Sequence, residues 1–355
     1  MKIVSSKRPV RLAAQLLGAL FALGCGATDP GRSDSTNPEP IEHTEAESRV
    51  VGYLPTYRSL DPSTVDLDTL THLNIAFANP TTEEAGSAID FEPGKQDAVR
   101  KLVAAAHKKN VKVLASIGGG TESPRTAKVL LLDSEAFVHS TLKLLAQYDL
   151  DGIDIDLEGE AIDPVTYEKL VNGLVAQRPA GKLLTAAVAT WVREKYRALD
   201  QLDFLTVMSY DQCGDWSSRC PHSTYARAEE ELEYWSTDHW QTAGGHFDKA
   251  NVVLGVPFYG RCWGTGCSQV TQGPANAVAP PYEQILSFWS NAGHREPVPD
   301  LLEDESQDYY LSLNGPETIE RKAILAKQYG GVMIWELGQD ARGPNSLFSA
   351  IQKTR

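Results

Sequence analysis

The chain has 355 residues, 42% of them hydrophobic and 23% charged, which is ordinary for a globular protein and leaves room for one large α/β barrel or two modest domains. Lysine and arginine number 33 against 47 aspartate and glutamate, a formal charge of −14, so nucleic acid and anionic membrane surfaces would be repelled and are excluded as partners.

At the N-terminus, Lys2, Lys7, Arg8 and Arg11 precede a run from Leu12 to Leu23 that only Gln15 and Gly18 interrupt, the form of an export signal. A run of about a dozen residues is too short to span a bilayer. The closing Ala22-Leu23-Gly24-Cys25 resembles the bacterial lipoprotein signal, in which a small residue precedes a cysteine that becomes lipidated, although Ala22 stands where that pattern usually has Leu. Residues 1–25 are therefore expected to be an export signal ending in a lipidated Cys25. The expected location is the cell surface or outer membrane, with secretion as the alternative, and the lipid anchor is the sole membrane contact expected. Residues 26–49 are rich in Ser, Thr, Pro, Asp and Glu and cannot bury enough surface to offset their ordering entropy, so a disordered tether is expected.

From residue 50 to 355, short apolar runs alternate with amphipathic stretches. Strands are expected at Val50 to Leu54, His72 to Ala78, Val111 to Ile117, Gly152 to Leu157, Leu183 to Ala189, Phe204 to Ser209, Val252 to Pro257 and Gly331 to Trp335. Helical spacing is expected over Lys95 to Lys109, Ser134 to Gln147, Pro164 to Gln177, Arg227 to Trp240 and Pro316 to Tyr329. Strand and helix in such alternation predict a (β/α)8 TIM barrel. A doubly wound open sheet is the rival, but Tyr53-Leu54-Pro55-Thr56 is not the Gly-rich turn that such sheets place after their first strand. The interval after the seventh strand is longer than one βα unit needs, and a small inserted subdomain is expected within about 262–315.

Apart from Cys25, four cysteines fall in two close pairs, Cys213 with Cys220 and Cys262 with Cys267. In an exported protein such pairs are disulfides by default. A zinc site from four thiolates, with or without His222, is the rival, but neither pair has C-x-x-C spacing. Two loop staples and no metal are expected.

The most informative segment reads Asp151-Gly-Ile-Asp154-Ile-Asp156-Leu-Glu158. In a strand, Asp154, Asp156 and Glu158 share one face while Ile155 and Leu157 pack on the other. A row of carboxylates on a buried face is electrostatically costly, which points to chemistry. The row ends at the C-terminal rim of the fourth strand, where barrels of this kind carry their active sites. A calcium loop starting at Asp154 would need a carboxylate at its twelfth position, which is Val165. An exposed edge strand conflicts with the apolar Ile153, Ile155 and Leu157. A Mg²⁺ site is chemically reasonable, but no other strand closes on an acidic or histidine cluster.

This segment matches the D-x-x-D-x-D-x-E signature of glycoside hydrolase family 18, the chitinases and endo-β-N-acetylglucosaminidases. Further resemblances follow in chain order: Ser116-Ile-Gly118-Gly119, Met208-Ser-Tyr210-Asp211, Gly260-Arg261 and Trp335-Glu336. Together they span about Val50 to Asp340.

The resemblance implies a monomeric, cofactor-free retaining hydrolase of chitin or N-acetylglucosamine oligosaccharides, in which the substrate's own acetamido group is the nucleophile. Glu158 is then the general acid and base, and its pKa should be raised towards the working pH by apolar enclosure and neighbouring acids. Asp156 would accept the acetamido N–H, Asp154 would share a proton with Asp156, and Tyr210 would donate to the acetamido oxygen. Trp335 offers a flat face to a sugar ring, with Tyr53, Met208, Asp211, Arg261 and Trp191 as further substrate contacts. Ser116, Gly118 and Gly119 are expected to be architectural. Leu157 departs from the aromatic residue many members carry there. The insertion is shorter than that of processive chitinases, which implies endo-action. An endo-β-N-acetylglucosaminidase acting on N-glycan cores is the nearest alternative. A chitin-binding lectin is the other, although such lectins usually replace the motif's Glu.

Overall fold

The computed structural model describes residues 48–237, 247–271 and 279–355. The expected export signal, Cys25 and all but the end of the tether lie outside the described residues, as does the end of the expected helix at Trp240. In chain order the elements are β1 Arg49–Pro55, β2 His72–Ala76, β3 Ala78–Pro80, β4 Ile89–Phe91, α1 Gln96–His107, β5 Lys112–Gly118, α2 Ser123–Leu132 and α3 Ser134–Tyr148. There follow β6 Gly152–Asp156, α4 Pro164–Gln177, β7 Leu183–Val188, β8 Phe204–Val207, α5 Tyr225–Ser236 and β9 Val252–Pro257. The chain ends with β10 Arg261–Trp263, α6 Cys267–Thr271, α7 Tyr282–Asn291, β11 Leu301–Asp304, β12 Tyr309–Ser312, α8 Pro316–Ala326, β13 Gly331–Trp335 and α9 Leu347–Gln352.

Eight strands close into a parallel barrel in the circuit β1-β13-β9-β8-β7-β6-β5-β2. All eight coincide with expected strands, because a strand buried on both faces reads as a short apolar run whatever its partners. Val51, Tyr53, Ala76, Phe204, Val253 and Met333 pack together in one cluster, and a far larger one holds residues of the strands and the helices. Phe137, Val138, Leu144 and Leu145 of α3 belong to the second cluster with Ile153 and Ile155 of β6. Each such fully buried side chain contributes about 1.5–3 kcal/mol.

Helix starts follow local chemistry. The Asp133 side chain accepts from Ala136 N at the start of α3, Asp163 from Thr166 N at α4, and Thr224 from Arg227 N at α5, each satisfying an N–H that has no partner within the helix. Helix α2 and the β3–β4 hairpin escape the periodicity reading. In α2 the run Val129 to Leu132 is continuous rather than helically spaced, and Leu131 and Leu132 stand 66% and 54% exposed.

Between β9 and α8 the chain builds a small antiparallel sheet in the order β10-β12-β11, with α6 and α7 beside it in sequence. A disulfide joins Cys262 to Cys267 with Cα atoms 5.9 Å apart, and another joins Cys213 to Cys220 with Cα atoms 6.0 Å apart, pairing the four cysteines as the sequence predicts. Among the described residues no helix is long and apolar enough to cross a membrane.

Candidate active site

Strand β6 carries the acidic row into the barrel's C-terminal end. Its register sets Asp154 beside Ser116 of β5 and Thr185 of β7, and Asp156 beside Gly118. Asp154 is fully buried, and its carboxylate accepts three hydroxyls: Tyr53 Oη at 2.8 Å and Ser116 Oγ at 2.7 Å on Oδ2, and Thr185 Oγ1 at 2.6 Å on Oδ1. Burial raises the Asp154 pKa, and the hydroxyls of Thr185, Ser116 and Tyr53 pull against that rise. Asp156 has no such support. It is 2% exposed and its Oδ1 has no hydrogen-bond partner. Burial, then the charges of Glu158 and Asp154, raise it well above the usual carboxylate range. No direct hydrogen bond joins the Asp154 and Asp156 carboxyls in this structure, and Asp154 acts on Asp156 through its charge.

Glu158 follows the strand, with its backbone N–H donating to Ser123 Oγ at 2.9 Å. Burial first, and then the Asp211 charge, push its pKa up to about 7 against the lowering effect of the Gly120 N–H. Asp211 is the ionised member of the group. Burial works against its charge, but the His222 ring, the Arg261 guanidinium and the Tyr259 hydroxyl outweigh burial and hold it at about 2. Arg261 grips both Asp211 oxygens, Nε at 2.8 Å and Nη2 at 2.5 Å, while the Tyr259 hydroxyl donates at 2.7 Å. His222 Nδ1 stands 3.6 Å from Asp211, beyond hydrogen-bond distance. Burial and the charges of Asp156 and Glu158 raise the Tyr210 pKa, keeping its hydroxyl a proton donor.

These groups face a cavity of about 780 Å³ whose lining includes Asp156, Glu158, Met208, Tyr210, Asp211 and Arg261. Trp335 lines it too, at the end of β13, with Phe77 stacked at 5.9 Å between ring centroids and Tyr53 tilted at 5.5 Å. Seven of the ten expected catalytic and substrate-contact residues line the cavity; Asp154, which is fully buried, Tyr53 and Trp191 do not. Tyr53 is 1% exposed and absent from the cavity lining; its hydroxyl is spent on Asp154, so it supports the site from beneath instead of touching a sugar. Trp191 is also absent from the lining and stands 62% exposed over Gly159. Asp211 and Arg261 are spent largely on each other.

Several residues escape sequence reasoning. Thr185 completes the Asp154 shell, and Asn79 pins Gly118 by a pair of hydrogen bonds at 2.9 and 3.0 Å. Neither could be found without the strand register. Trp216, 62% exposed with Arg261 stacked on its ring at 5.0 Å, projects from the loop that the Cys213–Cys220 disulfide closes. The glycines of β5 are architectural as expected: at Gly118, with φ of +107°, a Cβ would lie 2.2 Å from the Asp156 carbonyl oxygen. Among the described residues no group of three His, Cys, Asp or Glu side chains could hold a metal ion.

The arrangement suits proton transfer near neutral pH. The chain is similar to Chitinase A1 of Niallia circulans, 26% identical over 286 residues, and to the class V chitinase CHIT5a of Medicago truncatula, 26% identical over 336 residues. These alignments cover 65% and 81% of this chain. The chain spans 41% of the Niallia protein's length, 64% of that of Chitinase 1 of Aphanocladium album and 85% of the Medicago protein's. Among solved structures, a chitinase of Bacteroides thetaiotaomicron superposes with a TM-score of 0.69 at 25% identity over 86% of this chain and 96% of its own. The chitinase ChiB of Flavobacterium johnsoniae superposes at 0.67 and 29% identity over 86% of this chain and 93% of its own. The sequence model of the glycosyl hydrolases family 18 matches residues 49–340, from the first barrel strand to beyond the last, and the chain belongs to that family.

Proposed function

We propose that the protein is a retaining glycoside hydrolase that cleaves β-1,4 linkages of N-acetylglucosamine polymers, with the substrate's acetamido oxygen as nucleophile. The observation that carries this reading is the grading of the three acids. Asp154 is engaged by three hydroxyls and Asp156 is raised well above the ordinary carboxylate range with its Oδ1 unpartnered, which leaves neither as a ready nucleophile, while Glu158 stands at about 7. In the first step Glu158 gives its proton to the glycosidic oxygen, the bond from that oxygen to C1 breaks, and the acetamido oxygen closes on C1. In the second step the Glu158 carboxylate takes a proton from water as the water oxygen attacks C1 and the bond from C1 to the acetamido oxygen breaks, which restores the acetamido group. Two inversions give retention, and the acid is restored.

Tyr210 donates its hydroxyl to the acetamido oxygen, and Asp156 accepts the acetamido N–H, which fixes the nucleophile against C1. Trp335 and Phe77 provide the apolar floor for the sugar ring. The insertion after β9 is small, three short strands and two helices, which favours endo-action. Glu158→Gln tests the assignment: turnover of a soluble chitin tetrasaccharide should fall by about 10² to 10⁴-fold while binding of the oligosaccharide stays measurable. A variant that keeps most of its activity would sink it. A parallel assay on a high-mannose glycopeptide separates chitin hydrolysis from release of N-glycans.

A further inference from the structure

Tyr210 must hold its hydroxyl in place, yet no hydrogen bond from a described residue reaches that hydroxyl, and strand β8 ends at Val207. The last ladder-like bond on this stretch is Met208 N to Val188 O at 2.9 Å. From Ser209 onward the backbone departs from the sheet, and Asp211 takes a left-handed φ of +58°. Something other than the barrel has to fix this turn.

Behind it lies a fully buried amine that the proposed reaction does not use. Lys322 of α8 is 0% exposed, and its Nζ donates to Ser223 O at 3.0 Å, Ser223 Oγ at 2.8 Å and Asn314 Oδ1 at 2.8 Å. All three acceptors are neutral. Burial lowers its pKa to about 7, against the raising effect of Asp300 and Glu231. The three acceptors match the three protons of an ammonium, and such a group buried among neutral partners needs a purpose beyond filling space.

The direction of the hydrogen bonds supplies one. An ammonium only donates, so Ser223 Oγ receives from Lys322 and must spend its single proton elsewhere. It donates to the Ser209 carbonyl at 2.7 Å. By the same logic Asn314, whose Oδ1 is taken by Lys322, turns its Nδ2 to Ser223 O at 2.7 Å and Leu313 O at 3.1 Å. Lys322 thereby sets the polarity of a buried chain that runs from α8 through Ser223 to the residue preceding Tyr210.

We propose that Lys322 is the positioning residue for Tyr210, locking the turn after β8 through Ser223 and the Ser209 carbonyl. The inference rests on the role given to Tyr210 above. Replacing Lys322 by Met frees the Ser223 hydroxyl to rotate and the Asn314 amide to flip, and the Ser209 carbonyl loses its assured donor.

The test is a cycle on the full chain, measuring kcat and KM with a chitin tetrasaccharide for the unaltered protein, Lys322→Met, Tyr210→Phe and the double variant. Lys322→Met should lower kcat by about 10- to 100-fold with a much smaller change in KM. In the Tyr210→Phe background it should cost no more than about twofold, since both changes act through one hydroxyl. Equal fold-losses in the two backgrounds, or an undiminished kcat, would overturn the proposal. If circular dichroism shows Lys322→Met unfolded, Ser223→Ala replaces it in the same cycle, with the same pattern expected and an unchanged kcat equally fatal. A Tyr210→Phe protein with full kcat would instead overturn the role of Tyr210, and Lys322 would lose its function with it.

Discussion

Replacing Asp211 by Asn probes the electrostatics on which the chemistry depends. Glu158 stands at about 7, against an ordinary value of 4.5, because burial and then the Asp211 charge disfavour its ionised form. That rise corresponds to a few kcal/mol, on the order of 3, between its two protonation states. A carboxyl with a raised pKa is protonated below that value, so the acid is fully present at pH below 7 and lost as pH climbs through it. The rate constant kcat/KM on a soluble oligosaccharide should then fall about tenfold per pH unit on the alkaline side of 7.

Asparagine retains an oxygen for Tyr259 and Arg261 Nε, gives up the acceptor of Arg261 Nη2, and removes the like charge facing Glu158. Burial, the larger cause, is untouched, so the limb should move down by on the order of one unit instead of returning to the ordinary value. The Arg261 cation, left without its carboxylate, acts in the same direction. Asp156 and Glu158 influence each other, so the limb belongs to the pair. A profile whose limb stays in place, or moves to higher pH, refutes the electrostatic account.

Thr185→Val conserves shape but takes from buried Asp154 one of its three hydroxyl donors, and should cost about 1–3 kcal/mol in urea titrations; an unchanged midpoint would mean the hydroxyl is not needed. Gly118→Ala forces a Cβ to within 2.2 Å of the Asp156 carbonyl oxygen at a φ of +107°, so thermal melts should show a loss above about 3 kcal/mol together with lost activity. Trp335→Ala removes the aromatic floor, and KM for chitin oligosaccharides should rise on the order of tenfold, about 1.4 kcal/mol, with kcat less affected. Equal KM values for the two proteins would remove Trp335 from the binding surface.

The barrel and the location of its acids were legible in the chain before any contact was known. A strand's two-residue repeat assigns Asp154, Asp156 and Glu158 to one face before any partner is known, and alternating apolar runs and amphipathic stretches count out eight βα units because each must bury its own apolar face. Close spacing paired the cysteines for the same local reason. What the acids do individually was decided by tertiary structure. Asp154 differs from Asp156 because Tyr53, Ser116 and Thr185, which lie 101, 38 and 31 residues away along the chain, reach only the first. Tyr53 is support and not a sugar contact for the same reason: only the closed barrel shows that its hydroxyl is already spent. The raised acid, the clamped Asp211 and the buried Lys322 depend on desolvation and on partners from other strands. Those quantities exist only once the chain has closed around them.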